Sequence, residues 1–322
     1  SVLGPLLYIL YCNDFFQIKD CSTKYMCADD TALIYTQQSL ENTQHIERSL
    51  SKIGTWMTQN GLVINHSKTK FIQFELRSCP SIAHINSIQL HNYLDITSSM
   101  HCHCPLIGRT DTIKYLGMVI SSNLSWQSHV NYIAKKMRKG VAILSQIRNS
   151  ATVALKLEVY RALVESYYRY GLALYGGYYL TILQPLMVLQ KKAIRLVCGA
   201  ELCVNAATLM DSLKVLPFRH QYAESVLSHF LLKKAHVGRE IHDRQRSSPQ
   251  YLTRARQHGT LNLENIKSET MKRRAASHFI KLLTSCPDNI RQQTNDTTRQ
   301  IKKQIREHIT SLSQEQLSRL IE

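Results

Sequence analysis

The sequence predicts an α+β protein in which a mixed N-terminal part gives way to an all-helical remainder. Three observations carry that expectation. Short apolar segments punctuated by turn residues run to about residue 125, and from Val130 onward apolar residues recur every three or four positions. The basic excess of the chain lies wholly on the helical side. With 322 residues, 44% of them hydrophobic, the chain is long enough for two or three compact domains around real cores.

In chain order, Leu3-Gly4-Pro5-Leu6-Leu7-Tyr8-Ile9-Leu10-Tyr11 is an apolar run that periodicity alone leaves open between helix and strand. Lys24 to Cys27 and Thr31 to Tyr35 are two short apolar segments separated by Ala28-Asp29-Asp30, which predicts a hairpin with two aspartates at its tip. Leu40, Ile46, Leu50, Ile53 and Met57 follow at helical spacing, and Asn60-Gly61 supplies the stop. Lys70 to Phe74, Ser87 to Leu90 and Ile113 to Ile120 read as strands, with a Ser-, His- and Cys-containing loop between the last two. Val130, Ile133, Met137, Val141, Leu144 and Ile147 then trace one helix face. Further helices are expected over 151–169, 182–197, 217–236, 264–283 and 298–321, with Pro217 suited to a first turn. The Arg-, Gln- and Ser-rich stretch Asp243 to Gly259 reads as an exposed linker.

No stretch reaches the roughly 20 apolar residues that a bilayer requires, and the opening residues lack the pattern of a secretory signal. The expected setting is intracellular, without membrane contact, and the sequence does not choose between nucleus and cytoplasm. Nine scattered cysteines fit reduced thiols better than a disulfide framework. Residues 1–125 carry nine basic and nine acidic side chains, residues 126–200 eleven and two, and residues 201–322 twenty and twelve. The net charges are therefore zero, +9 and +8. Such asymmetry points to a polyanion partner such as nucleic acid.

An Asp-Asp pair on a hairpin tip projects two carboxylates from a rigid edge, close enough together to hold divalent metal near phosphates. On its own such a pair is more often an ordinary acidic turn. Here the pair has company. Ser1-Val2-Leu3-Gly4-Pro5-Leu6-Leu7 with Asn13-Asp14, then Cys27-Ala28-Asp29-Asp30-Thr31, then Trp56, Asn60-Gly61-Leu62, Asn65 and Lys68-Thr69, then Lys114-Tyr115-Leu116-Gly117 occur in that order, followed by Leu124, Trp126 and His129. The series resembles motifs B, C, D and E and the thumb entry of reverse transcriptases of LINE-type, non-LTR retrotransposons, above all the jockey-like arthropod group.

The resemblance implies a helix for the apolar run at the start. It also implies a truncated polymerase palm over 1–125 and a helical thumb over 126–200; the resemblance weakens after about residue 220, and helical spacing and charge make 201–322 a basic helical region of unknown role. Asp29 and Asp30 would bind Mg2+, Lys68 would stand where a general acid protonates pyrophosphate, and Lys114, Tyr115 and Gly117 would position the primer end. The implied partners are an RNA template, a DNA primer and dNTPs; protein partners are unknown. Read from the residues alone, Lys68 is a solvated lysine beside a strand, and Tyr115 and Gly117 are a buried aromatic and a turn glycine.

The departures are Cys27, where the family has an aromatic, and Ser121, where it has Asp. The chain opens with Ser, and it has no counterpart of motif A or the fingers, which hold a further metal-binding aspartate. The chain is thus expected to begin partway through the polymerase and not to polymerise DNA by itself. The rival reading is a non-catalytic nucleic-acid-binding remnant of a decayed element.

Three other features draw attention. His101-Cys102-His103-Cys104, with Cys79 or His91, suggests zinc, but neighbouring side chains alternate in direction and an exposed variable loop is the favoured reading. Tyr160, Tyr167, Tyr168, Tyr170, Tyr175, Tyr178 and Tyr179, set among Lys156, Arg161 and Arg169, could stack bases, but at helical spacing they are favoured as core. Lys135, Lys136, Arg138 and Lys139 are the better candidates for phosphate contact, because four cations in five positions cannot all be buried.

Overall fold

The structure is a computed structural model, and it describes residues 3–36, 43–74, 85–90, 105–201, 203–232, 275–287, 290 and 297–321. The His101–Cys104 loop with Cys79 and His91, the linker over 243–259, and residues 264–274 of a predicted helix lie outside those residues. The described chain is mostly helical, with small antiparallel hairpins in its N-terminal third, and so is α+β overall. It divides into two units, Ser1–Ser128 and His129–Glu322.

The first unit opens with α1 (Leu3–Tyr11), followed by a 3-10 turn over Asn13–Gln17. The run that periodicity left open is a helix, with Pro5 in its first turn, where a missing N–H costs nothing. Strands β1 (Thr23–Cys27) and β2 (Asp30–Ile34) form the predicted hairpin. Helix α2 (Thr43–Gln59) follows and ends at Asn60-Gly61, where Gly61 takes a φ of +66° and Asn60 returns its side-chain amide to the Trp56 carbonyl at 2.9 Å. Its apolar stripe buries Ile53 and Trp56 against Cys12 and Phe15. Phe15 and Trp56 meet edge-on at 5.2 Å. A second small cluster joins Ile46 to Ile85 and Ile88.

The predicted strand over Lys70 to Phe74 is not formed; a single parallel bridge, Phe71 to Arg109, stands in its place. Strand β3 (Ser87–Gln89) pairs instead with β4 (Leu106–Gly108), which is too short to show a period in the sequence. The segment read as one strand over Ile113 to Ile120 is a hairpin, β5 (Thr112–Tyr115) and β6 (Met118–Ser121). Leu116 and Gly117 form its turn with φ of +45° and +80°, positive at both positions as in a type I′ turn, whose backbone twist suits flanking strands.

The second unit follows α3 (Gln127–Gln146), which buries Val130, Ile133, Met137, Val141 and Leu144 as the spacing predicts. Helix α4 (Val153–Tyr160) is capped by Thr152, whose hydroxyl accepts the Leu155 N–H at 3.3 Å. It runs through a π turn over Arg161–Glu165 into α5 (Ser166–Arg169). Two short helices, α6 (Leu172–Tyr175) and α8 (Ala206–Ser212), carry no sequence signal of their own, and between them lies α7 (Leu180–Cys198), closed by Gly199 at φ +68°. Helix α9 (Phe218–Leu232) begins directly after Pro217. Helix α10 (Ala275–Ser285) follows, and the single helix expected over 298–321 is two, α11 (Thr298–Ser311) and α12 (Gln314–Ile321), broken at Leu312-Ser313. A capping box between Thr297 and Gln300 starts α11. No helix among the described residues is long and apolar enough to cross a membrane.

Candidate functional site

The β1–β2 ladder runs to the pair Cys27 and Asp30, which leaves only Ala28 and Asp29 in the turn. Ala28 has a φ of +53° while Asp29 has none above zero, the pattern of a II′ turn, in which glycine is usual at the first position. An L side chain there costs about 1–2 kcal/mol. The turn sets Asp29 at the apex and Asp30 at the first ladder position, both exposed. Strand alternation sends Met26 and Leu33 onto the Phe15–Trp56 cluster and leaves Tyr25, Cys27 and Asp30 on the other face.

Two tyrosines lie within electrostatic range of this tip. Burial raises the phenol pKa of Tyr115, and the charges of Cys27 and Asp30 raise it further, so β5 lies close enough to the carboxylate for the two to feel each other. Tyr8 of α1 is raised by its hydrogen bond with Cys12, then by burial and by the charges of Cys12 and Asp29. The hairpin base is fixed by a polar clasp. Asp20 accepts from Lys24 and Ser49, and from Ser22 at 2.7 Å, while Tyr35 and Ser49 share a hydroxyl contact of 3.0 Å. Burial alone would raise the Asp20 pKa, but the hydrogen bonds from Lys24, Ser22 and Ser49 outweigh it and hold the carboxyl below its usual range. Burial pushes Tyr35 up to about 12.

The other expected site residues fall in different places. Lys68 is exposed in the turn after α2, where its N–H meets the Asn65 side-chain oxygen at 3.2 Å. Lys114 is exposed on β5, and Gly117 occupies the I′ turn. Lys135, Arg138 and Lys139 form an exposed face of α3 in the second unit, while Lys136 lies half-buried over the rings of Tyr132 and Tyr167 at 5.8 and 5.9 Å. Asp29 and Asp30 offer oxygen donors only, which suits a hard cation such as Mg2+. Among the described residues no three His, Cys, Asp or Glu side chains group as metal ligands.

The tyrosine-rich stretch is largely core. Tyr160, Tyr168 and Tyr175 are fully buried. Gln190 ties Tyr160 and Tyr168 together, its amide N–H groups shared among Tyr168 Oη at 2.9 Å, Tyr160 Oη at 3.3 Å and the Leu216 carbonyl at 3.1 Å, while its oxygen accepts the Phe218 N–H at 2.9 Å; the Tyr175 hydroxyl donates to the Tyr168 carbonyl. Lys156 is buried with its ammonium on the Arg148 carbonyl at 3.1 Å, so it does not reach outward for phosphate. Sequence reading missed Tyr8 and the Asp20 clasp. It also missed the Trp56 indole donating to Asp14 at 3.3 Å, which joins two segments 42 residues apart.

A hairpin of this kind, with adjacent carboxylates on a tight turn backed by aromatic side chains, lies inside a match of residues 1–120 to the family Reverse transcriptase (RNA-dependent DNA polymerase). Residues 1–120 therefore form a reverse transcriptase segment. The chain is 26% identical over 225 residues to the probable RNA-directed DNA polymerase from transposon X-element of Drosophila melanogaster, a match covering 67% of this chain and 23% of that protein. It is 26% identical over 228 residues to the RNA-directed DNA polymerase from mobile element jockey of the same species, again covering 67% and 23%. The jockey protein of Drosophila funebris matches at 23% over 269 residues, or 79% of this chain and 26% of the relative. The chain is thus a distant homologue of the jockey and X-element reverse transcriptases of non-LTR retrotransposons, and it spans about a quarter of the length of these relatives. No solved structure matches.

Proposed function

We propose that the chain carries the later part of the palm (residues 1–125), the thumb (126–200) and a basic helical C-terminal region (201–322) of an intracellular RNA-directed DNA polymerase. The observation that carries this reading is the two-residue turn that sets Asp29 at its apex and Asp30 at the adjoining ladder position, both exposed, with Tyr115 in electrostatic range of Asp30. Asp29 and Asp30 would hold Mg2+, which when bound neutralises developing charge on the phosphates of an incoming dNTP. Tyr115, on a strand closed by the Gly117 turn, would seat the primer end, with Lys114 beside it. Lys68 stands on an exposed turn, where its ammonium could deliver a proton to the pyrophosphate leaving group. The exposed cations Lys135, Arg138 and Lys139, with Lys136 at their edge, would follow the backbone of an RNA template and DNA primer.

Two carboxylates without a third hold metal weakly, so this chain alone should not extend a primer. A template-primer assay with Mg2+ and dNTPs should therefore give no product from it. Joined to an upstream half that restores a motif A aspartate, the same chain should extend primers, and Asp29→Asn should cut that activity at least about a hundredfold. Extension by the isolated chain, or activity retained in Asp29→Asn, would sink the assignment. A second reading, a non-catalytic binding remnant, is supported by the exposed α3 face, which needs no carboxylates. A restored protein that binds template-primer but never extends it would favour that reading.

A further inference from the structure

The second unit contains a recess of about 430 Å3 that none of the roles above uses. That size lies within the range of small-ligand sites. The π turn contributes Arg161 and Glu165 to its wall, and α5 contributes Arg169. Lys214, from the turn after α8, Glu224 of α9 and Arg306 of α11 complete the charged lining. Four cations thus face two carboxylates. A π turn gives up the regular helical ladder, and such departures are frequent at functional sites.

The pairing inside the recess leaves cationic charge over. Glu224 accepts from Arg169 at 2.6 Å and lies 3.9 Å from Arg306, while Glu165 accepts from Arg169 at 3.2 Å. Both carboxylates are therefore spent largely on Arg169. Lys214 has no acidic partner among the described residues. Among the described residues Arg161 is tied to Glu158 at 2.9 Å, in a pair whose side chains are 49% and 68% exposed, and an exposed pair of that kind is readily exchanged for another anion. Lys214, Arg161 and Arg306, the last also donating to the Lys214 carbonyl at 3.3 Å, thus form an anion-attracting rim on a concave wall.

A second observation concerns Gln221, which lines the same recess and is 1% exposed. Its amide nitrogen donates to the Leu216 carbonyl at 2.8 Å and to Glu165 at 3.1 Å. Its oxygen has no partner among the described residues. Turning the amide over would face that oxygen with two acceptors, so the orientation of this buried wall residue is fixed by the Leu216 carbonyl and Glu165.

We propose that this recess binds a phosphorylated ligand of nucleotide size. Phosphoryl oxygens would lie on Arg161, Lys214 and Arg306. The ligand's phosphate can belong to a free nucleotide or to a nucleic-acid end. The inference uses neither the carboxylate hairpin nor the basic face of α3, so each can fail without the other.

The test is calorimetric titration of the full chain with thymidine monophosphate, thymidine and inorganic phosphate. The monophosphate should bind at least about tenfold more tightly than thymidine, and Arg161→Gln with Lys214→Gln should weaken it about tenfold or more. Glu224→Gln should strengthen it several-fold by releasing Arg169 and Arg306. Circular dichroism checks that each variant is folded, and the exposed Arg161→Gln single variant serves if the double does not fold. An oligothymidylate of about ten residues that competes with the monophosphate assigns the site to a nucleic-acid end, and one that does not assigns it to free nucleotide. Equal binding of thymidine and its monophosphate, or parental affinity in the Arg161 and Lys214 variants, overturns the inference. So does loss of monophosphate binding when Lys135, Lys136, Arg138 and Lys139 are replaced by Ala, because the anion site would then be the α3 face.

Discussion

In the unit Ser1–Ser128, helix α1 has no buried residue, and Leu6, Leu7, Ile9 and Leu10 are 54–64% exposed; in the unit His129–Glu322, Leu144, Tyr168, Leu186 and Ile194 are fully buried. The first unit holds itself together through two small apolar clusters and a polar clasp at Asp20. The second closes a large apolar core around the Gln190 hub. A two-stranded hairpin is marginal alone and needs a packed face, and among the described residues that face is Met26 and Leu33 on the Phe15–Trp56 cluster. Among the described residues, the carboxylate tip thus sits on the unit with the smaller apolar clusters, where the buried Asp20–Lys24 pair adds to apolar packing.

The comparison is sharpest where each unit loses its own kind of support. Asp20→Ala leaves Lys24, whose side chain is 7% exposed, buried without its carboxylate, and should cost the first unit about 3–5 kcal/mol. Leu144→Ala should cost the second unit about 3 kcal/mol, while Leu7→Ala on exposed α1 should change stability by less than about 0.5 kcal/mol. Both tryptophans, Trp56 and Trp126, lie in the first unit, so tryptophan fluorescence in urea follows Asp20→Ala, and hydrogen exchange of α3 follows Leu144→Ala. Equal losses for Leu144→Ala and Leu7→Ala would erase the contrast.

Acid should separate the units by pH. His129, 1% exposed and edge-on to Tyr175 at 5.0 Å, is pushed down to about 4 by burial. Its folded pKa lies below its unfolded value of about 6.5, so the stability it confers is complete above that value and is lost as pH falls from 6.5 to 4. The loss should be on the order of 3 kcal/mol in the second unit, and His129→Phe should remove it. The Asp20 contribution, with its pKa lowered, is present above the usual carboxylate value of about 3.9 and disappears only below it. Unfolding of the first unit ahead of the second between pH 6 and 4 would contradict both assignments.

The smallest effect concerns charge. Single-stranded nucleic acid should bind with a log-log salt slope near −0.7 per phosphate contacted, and replacing Lys135, Lys136, Arg138 and Lys139 by Ala should reduce that slope by about one to three units. Asp29→Asn, on the neutral unit, should leave it unchanged. A quadruple variant with the parental slope would make the α3 cations a solvated face and nothing more.

Much of this was legible beforehand, for identifiable reasons. The apolar face of α3 and the hairpin around Ala28-Asp29 follow from periods of 3.6 and 2 and from turn chemistry, which are local properties. Strand β4 and helices α6 and α8 were not legible, because three to seven residues are too few to establish a period. The turn at Leu116-Gly117 was hidden because the apolar residues on both sides read as one run. Lys156 looked like a surface cation in its basic surroundings, yet its ammonium is satisfied by a carbonyl eight residues away.

By itself the sequence determined the α+β class, the order of the motif-bearing segments, the charge asymmetry and the adjacency of Asp29 and Asp30, because each depends only on neighbours along the chain. The tertiary structure alone decided that Tyr115 comes within electrostatic range of Asp30, that Asp14 meets Trp56, that Tyr160, Tyr168 and Tyr175 are core, and that Arg161, Lys214 and Arg306 line one recess. These pairings bridge about 40 to 145 residues of chain or set one face of a helix against another. They are fixed by which apolar surfaces exclude water together and which buried polar atoms find partners, quantities no local pattern encodes.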